Sequence, residues 1–476
     1  MKTLAIWRKN VYNGKWYIGY KTAFVPPGAK YSLESVPQSS FLRRCSTGGQ
    51  AIRRRHGLPY CSCQQDVYWP ENRGYERSMK TTVTSVDFGT SKIVTLVAEN
   101  SGATRCDIVG AGIVTYNGFL EDGWNNPAEI DDCLREAISQ AEKQSHHKIR
   151  EVNVGVPGAF TKVYVTEARV SLTGPDPHVS ANDVRAIFKS ARENLGTVPG
   201  EVIHSSPAWF RVDDGKKTLE PVGIKGRELT AMISFVVANR FFLDDVNTRL
   251  NNMDIRTKNF FSTPAGEAML YLPEEDRDRT AVLIDVGYLN TEVMAVEGDA
   301  LIFHKCIDVG GGHIAADLSE QLDISFRAAE EKIKQAYVYT MSATGETYDI
   351  PAANDQPAKS FTREEVSPII TARVDEIAAE IKKALDESGV KLGNWSNVYL
   401  TGGGLAFNRG GKDYLSSKLG RPVRETPKRT VKMSSPIYSS TMGLMDLIID
   451  TMEQQRQPAS GVAGKIGDFF RSLVGG

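Results

Sequence analysis

The sequence predicts an α/β fold in two similar halves that face each other across a ligand cleft. Three observations carry this expectation. An apolar strand runs into Asp87 and a short polar turn, a second runs into Asp285 and Gly287, and a third runs into Gly402, Gly403 and Gly404. Ligands of open α/β sheets bind beyond the carboxyl ends of the strands, where these turns lie. The first two turns are about two hundred residues apart, a spacing that suits a duplication.

The elements follow in order. Residues 82–88 (TVTSVDF) read as a strand, and GTSKIVTLVAE continues as its hairpin partner across Gly89, Thr90, Ser91 and Lys92. A Gly-containing turn exposes backbone N–H groups that can cradle phosphate oxygens, while hydroxyls and a Lys reach the same group. Asp87 at the strand end can hold a divalent cation through its waters. Alone, such a turn is more often an ordinary hairpin. The recurrence at 280–287 (TAVLIDVG), followed by a second hairpin closing on Gly310–Gly312, strengthens the phosphate-site reading. VYLTGGGLAF (398–407) then supplies a glycine turn on which a planar base or ribose can lie. Between the first hairpin and its next strand, Asn125 or Asn126 is expected to cap a helix bearing Ile130, Leu134, Ala137, Ile138 and Ala141 on one face.

Composition narrows the class. Hydrophobic residues make up 41% and charged residues 24% of 476, ordinary for a globular protein. No run of about eighteen apolar residues appears, and the start lacks a secretory signal pattern. Six cysteines without a regular framework fit a reducing compartment, and Cys61-Ser-Cys63 without a second pair is a weak metal signal. A net charge of −1 gives no reason to expect nucleic acid as a partner. That average conceals a split: residues 1–78 hold 13 Lys+Arg against 4 Asp+Glu, and the remainder 44 against 54. The basic segment shows no sustained period of 2 or 3.6, and Met79 stands just before the first clean strand. Met79 is therefore expected to be the natural start, the rival being a basic extension for an anionic surface.

These residues resemble the actin, Hsp70 and sugar-kinase superfamily, whose ribonuclease H-like halves enclose a nucleotide. Asp87–Lys92 is similar to its first phosphate loop, Asp285–Thr291 to its second, and Thr401–Gly404 to its adenosine loop. Segments 152–160 and 434–445 stand where its two connecting segments stand. The resemblance implies bound ATP and Mg2+, with Asp87 and Asp285 holding the cation through water. It also implies nucleotide contacts from Gly89, Thr90, Ser91, Lys92, Gly287, Asn290 and the glycines at 402–404. Glu331 and Lys334 resemble the helical Glu-x-x-Lys pair that meets ribose and base, although a bare pair at this spacing is more often a solvated salt bridge.

Within that superfamily the chain resembles the FtsA family of actin-like bacterial cell-division proteins. The likeness lies in the segment between Gly158 and Ile255, where residues 201–238 give a His strand, an aromatic strand, an Asp-Gly turn, Pro-x-Gly-x-x-Gly and a closing edge strand. This is a small α+β (SHS2-type) module with a helix over 180–195, and His204 is read there as a packed core residue. The expected organisation is a basic segment 1–78, a first actin-like half 79–161, the insert 162–240, a return to the first half over 241–264, a second half 265–435, a closing helix 436–452 and a linker 453–464. The family implies head-to-tail filaments, binding of the FtsZ C-terminal peptide around residues 306–370, other division partners, and a place at the cytoplasmic face of the membrane at the septum.

An amphipathic helix is expected over 465–476. Ile466, Phe469, Phe470, Leu473 and Val474 fall on one face, flanked by Lys465 and Arg471. Beyond a Pro- and Gly-containing linker this reads as an interfacial membrane anchor rather than a docked helix. Five such side chains give a gross gain of order 10 kcal/mol, and ordering about ten residues costs a similar amount, so one tail binds reversibly and a row of tails binds by avidity.

The second phosphate loop departs from the family pattern, since Tyr288 and Leu289 stand where glycines are usual. Slow or absent hydrolysis is expected, in a protein that is primarily an adaptor. A divergent paralogue and a pilus-assembly (PilM-like) adaptor stay open as alternatives. A sugar kinase would leave the anchor unexplained, and an Hsp70-like protein would need a substrate domain. Mass spectrometry of the native N-terminus is expected to find Met79 first; peptides from residues 1–78 would overturn that assignment.

Overall fold

The computed structural model describes residues 10–12, 15–17, 81–100, 106–120, 123–340, 345–352, 357–427 and 435–456. The chain divides into two compact units, Met1–Ser78 and Met79–Gly476. In the first, β1 (Asn10–Tyr12) and β2 (Lys15–Tyr17) pair antiparallel. The other residues of 1–78, the linker from 457 and the anchor helix 465–476 lie outside the described residues.

The second unit opens with β3 (Thr81–Phe88), β4 (Lys92–Asn100) and β5 (Cys106–Thr115), an antiparallel meander. A small hairpin follows, β6 (Phe119–Leu120) with β7 (Gly123–Trp124), and then α1 (Ile130–Ser145). Its expected apolar face, Ile130 through Ala141, is buried against the sheet. The expected Asn cap is corrected: a 3-10 turn (Pro127–Glu129) precedes α1, and neither it nor α1 has a side-chain cap bond. Asn126 precedes that turn and donates instead to the Glu129 carboxylate at 3.1 Å. β8 (Glu151–Val156) then pairs parallel with β3.

The insert comprises β9 (Thr161–Ser171), α2 (Ala181–Leu195), β10 (Glu201–Val212) and β11 (Glu228–Ala238). Ser180 and Asp183 close a capping box at the start of α2. The His and aromatic strands are one continuous β10, whose register shifts near His204 and Trp209. The closing strand β11 is central rather than an edge, in the order β10-β11-β9. Its residues are nearly all buried, as a strand covered on both sides requires. His204 is half-buried in β10 rather than part of a core cluster, and burial lowers its pKa to about 4.

The chain returns through α3 (Arg240–Asn251), β12 (Arg256–Ser262), α4 (Thr263–Tyr271) and the short α5 (Glu274–Arg277). The second half repeats the first: β13 (Ala281–Val286), β14 (Thr291–Glu297) and β15 (Ala300–Ile307) form a meander. After it come α6 (Gly311–Gln321), α7 (Phe326–Ala328) and a π-helical turn over Ala329–Lys334. The hairpin β16 (Thr347–Ile350) and β17 (Lys359–Thr362) leads into α8 (Arg363–Glu387). β18 (Val398–Thr401), α9 (Gly411–Leu419) and β19 (Val423–Glu425) complete this half. The sheets run β12-β8-β3-β4-β5 and β15-β14-β13-β18-β19, the same connectivity twice.

The closing helix α10 (Ser439–Arg456) belongs to the first half and extends four residues beyond the expected 452. It crosses α4 at glycines on both sides. A Cβ on Gly443 would lie 2.3 Å from the Glu267 Cα, and one on Gly266 would lie 2.5 Å from the Gly443 carbonyl oxygen. The insert rests on the second half: Ser234 Oγ donates to the Leu301 carbonyl at 2.6 Å, Asp299 N–H to the Pro207 carbonyl at 3.2 Å, and Lys217 pairs with Glu297 at 2.6 Å. Gly443→Ala should lower stability by about 1–3 kcal/mol through overpacking, despite alanine's better helix propensity. An unchanged urea midpoint would show that the two helices can separate freely.

Candidate nucleotide-binding site

Three turns at the carboxyl ends of parallel strands converge on one cleft, whose open volume is about 270 Å³. The first two turns close alike. Gly89 N–H donates to the Lys92 carbonyl at 2.9 Å, and Gly287 N–H to the Asn290 carbonyl at 2.9 Å. Tyr288 and Leu289 are therefore accommodated without lengthening the loop. The Tyr288 ring packs over Gly312 and meets Phe326 edge-on at 6.4 Å. Across the cleft, Leu289 N–H donates to Thr90 Oγ1 at 3.0 Å, and the Thr90 hydroxyl lies 3.5 Å from Asn290 Oδ1. The third turn follows β18 and has Gly402 at φ +91°, where a Cβ would fall 2.0 Å from Asp285 Oδ1. Only glycine lets that backbone pass so close to the carboxylate.

Asp87, Gly89, Thr90, Ser91, Lys92, Asp285, Gly287, Asn290, Lys334 and Gly402–Gly404 all line the cleft. Glu331 does not. It is exposed and pairs with Arg327 at 2.8 Å, whereas Glu330 lines the cleft and holds the buried Lys334 at 2.9 Å. The π-helical turn widens the spacing there, so the residue four before Lys334 shares its side.

The floor of the cleft is crowded with carboxylates. Asp87 is buried, and its Oδ2 accepts bonds from Ser440 Oγ at 2.9 Å and Thr441 Oγ1 at 2.6 Å. Burial raises its pKa, and those two hydroxyls partly offset the rise. Asp285 is pushed up to about 7 by burial and by Glu292, against the pull of Lys92. Glu267 on α4, 1% exposed, stands well above the usual carboxylate range through burial and the nearby Asp285. Burial also lowers the Lys92 pKa, though Asp87 and Asp285 favour its charge.

This donor set fits a hydrated divalent cation. Asp87 Oδ1 and Asp285 Oδ1 are buried with no hydrogen-bond partner, and burial, with the repulsion of neighbouring carboxylates added to it, favours the protonated forms of Asp285 and Glu267. Among the described residues no three His, Cys, Asp or Glu converge as direct ligands, so a cation here would keep its waters. Sequence reasoning missed Glu267, Glu330, Ser440 and Thr441. The signal for Glu267 was available, as a lone carboxylate inside the apolar run TPAGEAMLY.

Two family models match the chain along this framework. Cell division protein FtsA matches residues 282–443, and the SHS2 domain inserted in FtsA matches residues 158–237. The chain belongs to the FtsA family. Among curated relatives it is 27% identical to the cell division protein FtsA of Streptococcus pneumoniae over 367 residues, covering 76% of this chain and 79% of that one. It is 24% identical to FtsA of Bacillus subtilis over 366 residues, covering 76% and 82%. Among solved structures, the PilM-PilN type IV pilus biogenesis complex matches with a TM-score of 0.50 at 16% identity, covering 77% of this chain and 98% of that one. That likeness concerns the fold. This FtsA-family protein thus has the actin-like duplicated α/β architecture with an SHS2 domain inserted in its first half.

The raised Asp285 pKa fixes a sign. Folded protein holds this proton up to about pH 7 and the unfolded chain releases it near 4, so without Mg2+ its contribution to stability is present below pH 4 and lost as pH rises through 7. Asp285→Asn should flatten the pH dependence between 4 and 7 and raise stability at pH 8 by about 2–4 kcal/mol. Denaturant midpoints measured in EDTA check this; a variant weaker than the parent at pH 8 would contradict it.

Proposed function

We propose that this FtsA-family protein binds Mg-ATP in the cleft, assembles head to tail, and joins the FtsZ C-terminal peptide to the cytoplasmic face of the membrane at the division septum. The observation that carries the nucleotide part is the meeting of both phosphate turns, the glycine turn and the Lys334–Glu330 pair in one cavity. Asp87 and Asp285 would hold Mg2+ through its waters, and the cation would neutralise phosphate charge. Lys92 and the Thr90 and Ser91 hydroxyls would take phosphate oxygens, and Asn290 would serve the same end from the second turn. Lys334 and Glu330 would meet the ribose and base against Gly402–Gly404. Tyr288 and Leu289 remove close backbone approach to phosphate, which fits slow or absent turnover and a chiefly structural role.

The membrane part rests on the amphipathic pattern of residues 465–474. No helix among the described residues is long and apolar enough to cross a membrane. For FtsZ, the β16–β17 hairpin in the second half lies in the expected region, and other division proteins are expected to join the same assembly.

Two measurements test the proposal. Mg-ATP should raise the melting temperature, and Lys92→Ala should weaken that effect at least tenfold in ligand concentration, about 1.4 kcal/mol or more. Absence of any shift in the parent would remove nucleotide from the proposal. In co-sedimentation with anionic liposomes, the full chain should carry FtsZ to the lipid and a chain ending at Ala463 should not. Equal behaviour would make the tail structural and favour a soluble pilus-type adaptor.

A further inference from the structure

Behind the first phosphate turn lies a segment that no motif marks. Tyr116–Gly118 does not line the cleft, yet it touches each residue of the turn from Gly89 to Ser91. The Tyr116 hydroxyl donates to the Gly89 carbonyl at 2.7 Å, and the Tyr116 N–H donates to the Ser91 carbonyl at 3.2 Å. Gly118, at φ +72°, sits so close that a Cβ would fall 2.1 Å from the Thr90 carbonyl oxygen.

The segment is itself pinned from outside. Asn117 donates its backbone N–H and its Nδ2 to the two Glu129 carboxylate oxygens at 2.6 and 2.8 Å, and Asn125 Nδ2 donates to the Asn117 carbonyl at 2.9 Å. Burial raises the Tyr116 pKa well above its ordinary value, so the phenol stays a neutral donor.

Peptide planarity turns these contacts into an orientation. In a trans peptide the N–H points opposite to the preceding C=O. Holding the Gly89 carbonyl toward Tyr116 therefore aims the Thr90 N–H away from Tyr116, on the side where Gly89, Thr90 and Ser91 face the cavity. A phosphate oxygen needs that N–H presented before it arrives, since a turn free to rotate would have to be ordered on binding.

We infer that Tyr116 is a positioning residue of the first phosphate turn: its hydroxyl fixes the Gly89–Thr90 peptide so that the turn presents its N–H groups to a nucleotide's phosphates. This rests on the nucleotide reading above. It adds that affinity for the phosphate portion depends on a tyrosine that never touches the ligand, while affinity for the nucleoside portion does not.

Calorimetric titration of the full chain and of Tyr116→Phe with Mg-ATP, Mg-ADP and adenosine separates these terms. Tyr116→Phe should bind both nucleotides about five- to tenfold more weakly, the scale of one lost hydrogen bond, and adenosine within twofold of the parent. Hydrogen exchange at the Thr90 and Ser91 amides should quicken in the unliganded variant. Equal loss for adenosine, or no loss for either nucleotide, would overturn the inference while leaving the nucleotide reading intact. Parent protein that binds none of the three would overturn both. Should Tyr116→Phe fold poorly, Glu129→Ala releases the same segment from outside and should give the same split; unchanged nucleotide affinity there would overturn the inference.

Discussion

The bond pair between Asp87 and helix α10 is the constraint on which the site depends. Asp87 ends the first strand of its half, while Ser440 and Thr441 lie more than 350 residues later. Those hydroxyls offset part of the desolvation of the carboxylate, and the rest is left for a ligand. The helix that supplies them also covers the first sheet from below, with Leu444, Met445 and Ile448 buried against Val83, Val94 and Leu96. Site and core of the first half are therefore completed by one element. Such a long loop closure is costly in chain entropy, and the apolar face of α10 is what offsets it.

Around Asp87 the cleft is electrostatically unfinished. Asp87, Glu267, Asp285 and Glu292 act on one another, and Lys92 is the cation that pulls against them at Asp87 and Asp285. In a low-dielectric floor this excess is relieved by protonation or by a cation, and the orphaned oxygens of Asp87 and Asp285 suit the latter. The bond from the Leu289 N–H to Thr90 Oγ1, with Thr90 beside Asn290, ties the two halves directly, above that floor. The first two turns of the cleft are thus joined to one another.

Much of this was legible in the sequence because the signals were local. Strands ending in Asp and Gly, the glycine triplet and the apolar face of α1 each follow from a period or a turn type. The duplication was legible from the recurrence of a strand ending in Asp and Gly about two hundred residues on. What escaped depends on contacts between distant segments. Glu330 and Glu331 are indistinguishable by sequence until a π-helical turn chooses between them. β11 was expected at an edge because it closes the insert, but strand order is set by packing, and only its nearly continuous burial would have placed it in the middle. Glu267 was readable in principle, as a charge in an apolar helix, yet the groups that act on it come from four other elements, β3, β13, β14 and α10. Asn126 was misjudged because its amide donates to the Glu129 carboxylate, a pairing that residue type at a helix start does not reveal.

The insert is threaded from the first half, yet its polar and apolar contacts reach the β14–β15 turn of the second, through Lys217 with Glu297, Ser234 with Leu301, and Trp209 beside Ala300. Mechanically it is a splint that bridges the two halves. A load applied to the insert is shared between the halves as shear, and the insert cannot swing as a free arm. The two sheets are thereby braced by a domain that, among the described residues, lends the cleft no side chain of its own.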